Sequence, residues 1–208
     1  SILLIDRTSN KNIIWATDNY KNNGIGYGEN QTIEINLITG KNGNIIKPRI
    51  EKNKKEQQVR AREKAEVFTP SWVCNVQNNL IDEAWFGYKD VFNKQIKDGW
   101  KTIYKKVKFP PNRDWKEYIE DTRLEVSCGE APYIVSRYDT VTGRVIPIKD
   151  RIGLLDRKLR IVTENTETKE EWLEWVEKAY KNVYGYDWQG DNVLIARENL
   201  LFTLVDYY

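Results

Sequence analysis

Short apolar runs separated by turn residues characterise the first fifty positions of the chain. Strands are predicted from Ser1 to Arg7 and from Asn12 to Ala16, and the polar turn between them indicates a hairpin. Apolar and polar residues alternate from Thr32 to Ile38, which is typical of a half-buried strand. A further short strand is predicted just before Pro48. We therefore expect residues 1–50 to form a small β-rich lobe.

Residues 51–66 combine many charged residues with good helix formers, but they have no apolar stripe. This composition predicts a solvated helix or a linker. The alternative is a helix that contacts nucleic-acid phosphates through its basic side chains. Those side chains are Lys54, Lys55, Arg60 and Arg62.

A helical pattern begins after Thr69 and Pro70, which suit the cap and the first turn of a helix. The pattern stops before Gly87, a residue type that favours helix C-termini. The apolar residues that share one face of this predicted helix are Val73, Val76, Leu80 and Ala84.

The middle of the chain alternates between helical and strand patterns. A short helix over 115–121 precedes a predicted strand from Arg123 to Ser127. We expect a helix from Pro132 to Tyr138, followed by an extended insertion. Another helix, which could lead into a short strand, is predicted within 153–163.

The last forty positions carry the clearest patterns. A capping box from Thr168 to Glu171 opens an amphipathic helix that reaches about Lys181. A short strand from Val183 to Tyr186 leads through Asp187 into a last helix, which begins after Gln189.

Composition narrows the possible classes of function. The 208 residues carry a net charge of only +2, which excludes a strongly basic nucleic-acid module but permits a local basic face. Histidine is absent, and Cys74 and Cys128 are far apart, so we expect no zinc site and no Ser–His or Cys–His nucleophile. The chain has no apolar run long enough for a membrane span and no signal peptide. We therefore expect a cytoplasmic protein with reduced thiols and no membrane partner.

The stretch from Leu124 to Pro132 joins the end of a predicted strand to a tight turn at Gly129. An acidic residue such as Glu125 at the end of a strand, followed by a glycine turn and a helix N-terminus, is a common arrangement for holding a nucleoside cofactor. The alternative is an ordinary strand-to-helix turn, because one glycine is present rather than the three of a dinucleotide-binding motif.

Three motifs follow one another along the chain. Val67-Phe68-Thr69-Pro70 opens a helix, Glu125-Val126-Ser127-Cys128-Gly129-Glu130 forms the turn, and Asp187-Trp188 precedes the last helix. In this order they resemble the motifs of adenine-specific DNA methyltransferases of bacterial restriction–modification systems. The resemblance implies an α/β fold in which residues 67–208 form a partial Rossmann-like domain that binds S-adenosylmethionine. It also implies DNA as a partner, together with a possible restriction or specificity subunit.

The resemblance implies roles for the residues that match the family motifs. The residues expected beside the methionine end of the cofactor are Phe68, Thr69 and Pro70. The residues expected to wrap around the cofactor are Glu125, Ser127, Cys128, Gly129 and Glu130. Asp187 would accept hydrogen bonds from the ribose hydroxyls, and Trp188 would pack on the adenine ring.

The chain also departs from the family pattern. Val126 stands where proline is usual, and Ala131 replaces the final glycine of the turn. The catalytic Asn/Asp-Pro-Pro-Tyr/Phe motif is absent, so no catalytic residue is assigned. The segment from Phe109 to Asn112 contains two prolines but precedes the turn and lacks the required flanking residues.

The sequence therefore predicts the cofactor-binding part of a DNA adenine methyltransferase, as a fragment or a degenerate relative. The alternative is a non-catalytic DNA-binding or restriction-associated protein that keeps the methyltransferase scaffold. In that case the N-terminal lobe, the charged run and the lysines near Lys105 would contact phosphates. A nuclease would need acidic residues clustered around a magnesium ion, and the sequence defines no such cluster.

Overall fold

The computed structural model describes residues 2–208, so Ser1, where the first predicted strand begins, lies outside the described residues. Within residues 2–208 the chain forms seven helices and six short strands, with 3₁₀ turns between some of them. In chain order the elements are β1 (Ile5–Asp6), β2 (Lys11–Asn12), α1 (Ile35–Ile38), α2 (Lys54–Lys64), α3 (Ser71–Phe86), β3 (Asn93–Ile96), β4 (Gly99–Thr102), α4 (Trp115–Glu120), β5 (Arg123–Val126), α5 (Leu154–Asn165), α6 (Lys169–Lys181), β6 (Val183–Tyr186) and α7 (Gly190–Tyr207).

The strands of the described residues pair into three separate two-stranded sheets. The β1–β2 and β3–β4 pairs are antiparallel, whereas β5 and β6 are parallel, with Glu125 opposite Gly185. Parallel neighbours require a long crossover connection, and α5 and α6 lie within it. Because β5 and β6 end at the same edge, the turn after Val126 lies next to the residues that follow Tyr186.

Two hydrophobic cores hold these elements together. The larger core packs α5 and α6 against the end of α3, α4 and the turn after β5, and its most buried members include Leu155, Leu159 and Ile161. The smaller core packs Leu194 of α7 against N-terminal side chains that include Trp15. Since Ala196 of α7 belongs to the larger core, α7 connects the two.

The N-terminal region is not β-rich, and the prediction for it is wrong. The hairpin forms, but its strands are only two residues long. The strand predicted from Thr32 to Ile38 pairs with Ile14 only at Thr32, and the chain then turns into α1. Beyond Thr32 the backbone satisfies its polar groups by a helical turn, in which the Leu37 N–H donates to Glu34 O over 2.9 Å.

Several elements with strong local signals are confirmed. Helix α3 ends at Gly87, which has a left-handed φ of 78°. Helix α6 begins after Thr168, whose hydroxyl accepts a hydrogen bond from the Glu171 N–H over 3.2 Å. Helices α4 and α7 and strand β6 also form where the sequence predicts them.

Helix α3 buries a polar face instead of the predicted apolar one. Leu80 is 60% exposed, whereas Asn75, Asn78 and Asp82 are buried. The cause is Arg157 of α5, a buried guanidinium that pairs with Asp82 and donates to Asn75 Oδ1 over 2.9 Å. A buried cation needs acceptors, and α3 supplies them.

The helix predicted from Pro132 to Tyr138 does not form. Local acceptors take the N–H groups of this segment. The Tyr133 and Ile134 N–H groups donate to the Glu125 carboxyl over 3.4 Å and 3.2 Å. The turn therefore presents no helix N-terminus.

Helix α2 is not simply solvated, because Arg60 on it is 1% exposed. Its guanidinium lies 2.9 Å from the Asp191 carboxylate and 2.5 Å from the Glu66 carboxylate. Lys52, which precedes α2, is also buried, with Nζ 3.2 Å from Asp191 Oδ2. Arg60 is buried in these ion pairs. It is therefore not available to contact nucleic-acid phosphates, the alternative role that the sequence analysis gave to this helix.

The Asp191 cluster, made of Tyr20, Lys52, Arg60, Glu66 and Asp191, joins three segments that are distant in the sequence. Tyr20 donates its hydroxyl hydrogen to Asp191 over 2.6 Å. Burial by itself would raise the pKa of Asp191, but the charges of Lys52 and Arg60 outweigh it and lower that pKa. The stability that this carboxylate contributes is therefore lost only as the pH falls through the lowered pKa.

We predict that Asp191→Ala lowers the free energy of unfolding at pH 7 by about 3 to 5 kcal/mol, because it leaves two buried cations without their shared partner. Urea unfolding followed by far-ultraviolet circular dichroism measures the change. The matched control is Glu177→Ala, which removes an acid whose ion pair with Lys181 lies at the surface. We expect little change from the control, and equal losses in the two variants would contradict the role given to the cluster.

Candidate functional site

A cavity of about 240 Å³ lies at the edge where β5 and β6 end. Three segments form its wall, within residues 64–69, 125–133 and 187–192. Eight of the ten predicted cofactor-binding residues line it, namely Phe68, Thr69, Glu125, Ser127, Cys128, Gly129, Asp187 and Trp188. The three sequence motifs therefore converge on one space.

Pro70 and Glu130 are the two predicted residues outside the cavity wall. Pro70 caps the start of α3. Glu130 is 1% exposed, and its carboxyl accepts hydrogen bonds from the Arg49 N–H over 2.5 Å and from the Tyr138 hydroxyl over 2.6 Å. Glu130 thus holds the turn against neighbouring segments, and its side chain is not available to a ligand in the cavity.

The turn after β5 has an uncommon backbone conformation. Ser127, Gly129 and Ala131 adopt φ values of 55°, 53° and 62°. Glycine accepts such angles readily, whereas they are uncommon for other residues and store strain. Ala131 thus adopts the left-handed conformation that glycine favours.

Asp187 connects this turn to the start of α7 by hydrogen bonds. Its Oδ2 accepts a hydrogen bond from the Gly129 N–H over 2.8 Å, and its Oδ1 accepts one from the Gln189 N–H over 2.9 Å. The Asn192 side chain donates a longer hydrogen bond to Oδ1 over 3.4 Å, and since an ionised carboxylate offers about four acceptor positions, about one remains for a ligand. The half-buried Asp187 is therefore both a positioning residue and a candidate ligand-binding residue.

Glu125 lies at the inner wall of the cavity and is 8% exposed. Burial raises the pKa of Glu125 to about 8, against the opposing effect of hydrogen bonds from the Tyr133 and Ile134 N–H groups. The nearby charge of Asp187 adds to the increase. The Glu125 carboxyl is accordingly protonated at neutral pH.

The thiol of Cys128 also faces the cavity but is poorly suited to nucleophilic chemistry. Burial raises the pKa of Cys128 to about 12, and the neighbouring Glu125 and Asp187 add to this increase. The thiolate, which is the reactive form of cysteine, is therefore scarce at neutral pH.

Two aromatic side chains border the opening of the cavity. Trp188 is 83% exposed, so its indole is free to move onto a ligand. Phe68 is half-buried, and the guanidinium of Arg49 lies 5.2 Å from its ring centre. A flat aromatic ligand would find two aromatic faces in the cavity wall.

The sequence analysis missed several residues of the wall. Glu66, Tyr133, Gln189 and Asn192 line the cavity as well. Glu66 accepts hydrogen bonds from Arg60 over 2.6 Å and from the Gln189 side chain over 3.1 Å. All four residues lie close along the chain to one of the three motifs, which was the available signal. For Glu66, Gln189 and Asn192, hydrogen bonds to Arg60 or Glu66 of the Asp191 cluster explain why they turn inwards.

Two further features bear on the chemistry. Among residues 2–208, no group of three or more His, Cys, Asp or Glu side chains is arranged to hold a metal ion. No helix in the described part of the chain has both the length and the apolar character needed to cross a membrane.

We predict that the free energy of unfolding falls less between pH 5 and pH 8 in Glu125→Gln than in the wild type. In the wild type the folded chain keeps a proton on Glu125 up to about pH 8, whereas the unfolded chain releases it near pH 4.5. The free energy of unfolding should therefore fall with rising pH by up to about 1.4 kcal/mol per pH unit through this group. Urea unfolding of both proteins at pH 5, 6, 7 and 8 isolates the contribution, since other titrating groups cancel in the difference.

The same series with Glu177→Gln, at an exposed site on α6, serves as the control. Parallel pH profiles for the wild type and Glu125→Gln would show that the Glu125 carboxyl is ionised in the folded protein.

Known proteins give no independent assignment of this site. No family model matches the chain, and it matches neither a curated protein nor a solved structure. Its function is therefore argued from the cavity and its residues.

Proposed function

We propose that the cavity binds the adenosine portion of S-adenosylmethionine, and that the chain is the cofactor-binding part of a DNA adenine methyltransferase. The observation that carries this proposal is the convergence of the three motifs around Phe68, Gly129 and Asp187 on one cavity. Chance motif matches in unrelated parts of a fold would not be expected to share a wall.

The chemistry of the wall supports a nucleoside. The carboxylate of Asp187 has acceptor capacity for a ribose hydroxyl, and the exposed indole of Trp188 can stack on adenine. The cavity of about 240 Å³ is smaller than the roughly 300 to 1,000 Å³ of typical small-molecule pockets. We therefore propose that the cavity holds the nucleoside part of the cofactor rather than the complete molecule.

The charge of the wall supports a ligand without phosphates. Three acidic residues, Glu66, Glu125 and Asp187, line the cavity, whereas Lys64 is its single basic residue among the described residues. Because Glu125 is protonated at neutral pH and Glu66 is paired with Arg60, the wall offers one free carboxylate and one lysine, and it has no cluster of cations to hold a triphosphate or a pyrophosphate. The sulfonium of S-adenosylmethionine carries a positive charge and is compatible with it.

The methionine end of the cofactor keeps Phe68 and Thr69 as neighbours in this proposal, but it lacks the helix N-terminus that the sequence suggested. No helix follows the turn, and the N–H groups of Tyr133 and Ile134 point at Glu125. The segment at Phe68 and Thr69 is then the remaining neighbour for that end. The bound cofactor would supply the methyl group, and the residues described here bind and orient it without completing the transfer.

The alternative is a DNA-binding or restriction-associated protein that uses this scaffold without the cofactor. Salt-dependent DNA binding by a chain that shows no affinity for S-adenosylmethionine would favour it over the cofactor proposal.

We predict that calorimetry detects S-adenosylmethionine binding to the wild type and that Trp188→Ala weakens it by about 1 to 3 kcal/mol, or roughly 5- to 150-fold, through lost stacking. Trp188 is almost fully exposed, so the substitution should leave the melting temperature unchanged. The control is Tyr186→Ala, which removes a nearby aromatic ring that is 63% exposed and outside the cavity wall. Absence of binding in the wild type, or equally tight binding of ATP, would overturn the proposal.

Asp187→Ala should abolish the same binding, because the substitution removes the ribose acceptor and also releases the Gly129 turn. Asp187→Asn keeps one acceptor oxygen and should retain more affinity than alanine. If both variants bind as the wild type does, Asp187 does not contact the ligand.

A further inference from the structure

A second charged feature of the molecule lies away from the cavity, on the β3–β4 hairpin and the segment that follows it. Six of the fifteen residues from 94 to 108 are lysine, and only Asp98 among them is acidic. The whole chain has a net charge of +2, so this segment concentrates positive charge that the rest of the chain balances. We call these six residues the lysine face: Lys94, Lys97, Lys101, Lys105, Lys106 and Lys108.

All six side chains are exposed and, within residues 2–208, none of them forms an ion pair. Some other surface lysines of the chain differ in this respect. On α6, Lys178 and Lys181 pair with acids one helical turn away, at 2.9 Å and 2.6 Å. The lysine face is therefore a set of cations without partners in the protein.

The strand register brings two of these cations together. Lys94 lies directly opposite Lys101 in the antiparallel pair. Directly opposite side chains point to the same face of a sheet, and like charges in such a pair destabilise it. An anion between the two ammonium groups would turn this repulsion into attraction.

The other face of the hairpin is anchored to the protein. Asn93 exchanges hydrogen bonds of 2.8 Å with Asn75 of α3. Trp100 Nε1 donates to Asp150 O over 2.9 Å, and the Thr102 hydroxyl donates to the Asp150 carboxylate over 2.8 Å. The hairpin thus presents its lysines from a fixed frame rather than from a loose loop.

A broad concavity accompanies the lysine face. It encloses about 610 Å³, and three cations, Lys97, Lys101 and Arg144, border it together with two acids, Asp98 and Asp150. The carboxylate of Asp150 at its base already accepts hydrogen bonds from Thr102 and Tyr104, which reduces its repulsion of an incoming anion. Charge and shape together fit an extended polyanion better than a single small anion.

We propose that the lysine face binds the phosphodiester backbone of a nucleic acid. The choice of DNA as the polymer rests on the proposed function. The assignment of this surface to a polyanion rests on the exposed lysines described above. Helix α2, which the sequence suggested for this role along with the lysines near Lys105, is a weaker candidate. Its Arg60 is buried in ion pairs, and its exposed basic side chains are accompanied by Glu56 and Glu63; those basic residues are Lys54, Lys55, Arg62 and Lys64.

The test compares two triple variants that remove the same amount of charge. One carries Lys94→Gln, Lys97→Gln and Lys101→Gln on the lysine face. The control carries Lys169→Gln, Lys178→Gln and Lys181→Gln on α6. Fluorescence anisotropy with labelled 20-base-pair DNA, at salt concentrations from 50 to 200 mM, gives the affinity and its salt dependence.

We expect the lysine-face variant to bind duplex DNA about tenfold more weakly or worse, and its plot of log K against log salt to be shallower by about 0.9 for each lost phosphate contact. The control variant should bind as the wild type does. The melting temperature of the lysine-face variant should equal or exceed that of the wild type, because the repulsion between Lys94 and Lys101 is gone. A lower melting temperature would contradict the argument from strand register.

Parallel titrations with single-stranded DNA and duplex RNA identify the source of the phosphodiester backbone. Vesicles of phosphatidylserine and phosphatidylcholine test the lipid alternative. Lysine-dependent binding to vesicles but not to nucleic acids would overturn the inference. So would equal losses of DNA affinity in the two triple variants, or no DNA binding by the wild type.

Calorimetry with S-adenosylmethionine on the same proteins separates this inference from the proposed function. If the cofactor binds but DNA affinity does not depend on the lysine face, only the surface assignment fails. If DNA binds through the lysine face and the cofactor does not bind at all, the cofactor proposal fails and the surface assignment remains.

Discussion

The arrangement of the candidate site depends on the buried carboxylate of Asp191. It lies in the first turn of α7, where the helix dipole favours a negative charge, and it meets Lys52 and Arg60 in the interior. Buried cations are tolerated only when they are paired. The pairing therefore requires α7, the start of α2 and the N-terminal region at Tyr20 to meet at one point.

Steric constraints act at the same place. Gly190 donates its N–H to Trp15 O over 3.0 Å, and a Cβ atom at Gly190 would lie 2.0 Å from Ile14 O. Only glycine allows the start of α7 to approach the N-terminal backbone so closely. Charge pairing and close backbone contact thus position the residues from Asp187 to Asn192 that form one wall of the cavity.

The cavity and the lysine face differ in charge. Three acidic residues line the cavity; Glu125 is protonated at neutral pH and Glu66 is paired with Arg60, which leaves the carboxylate of Asp187 available to a ligand. The lysine face carries unpaired cations on an anchored hairpin. A chain with an almost neutral total charge can therefore offer one site suited to a cationic nucleoside cofactor and a separate surface suited to a polyanion.

Local patterns in the sequence determined the elements with strong caps and periods, including the end of α3 at Gly87, helix α6 after Thr168 and strand β6. They also determined the order of the three motifs that the fold brings around the cavity. Only the tertiary structure decided that α3 turns its polar face inwards towards Arg157, that Arg60 is buried, and that Glu130 points away from the cavity. It also decided that no helix follows the Gly129 turn. The reason is physical: helical periods and caps act between residues a few positions apart, whereas the partners of a buried charge come from anywhere in the chain.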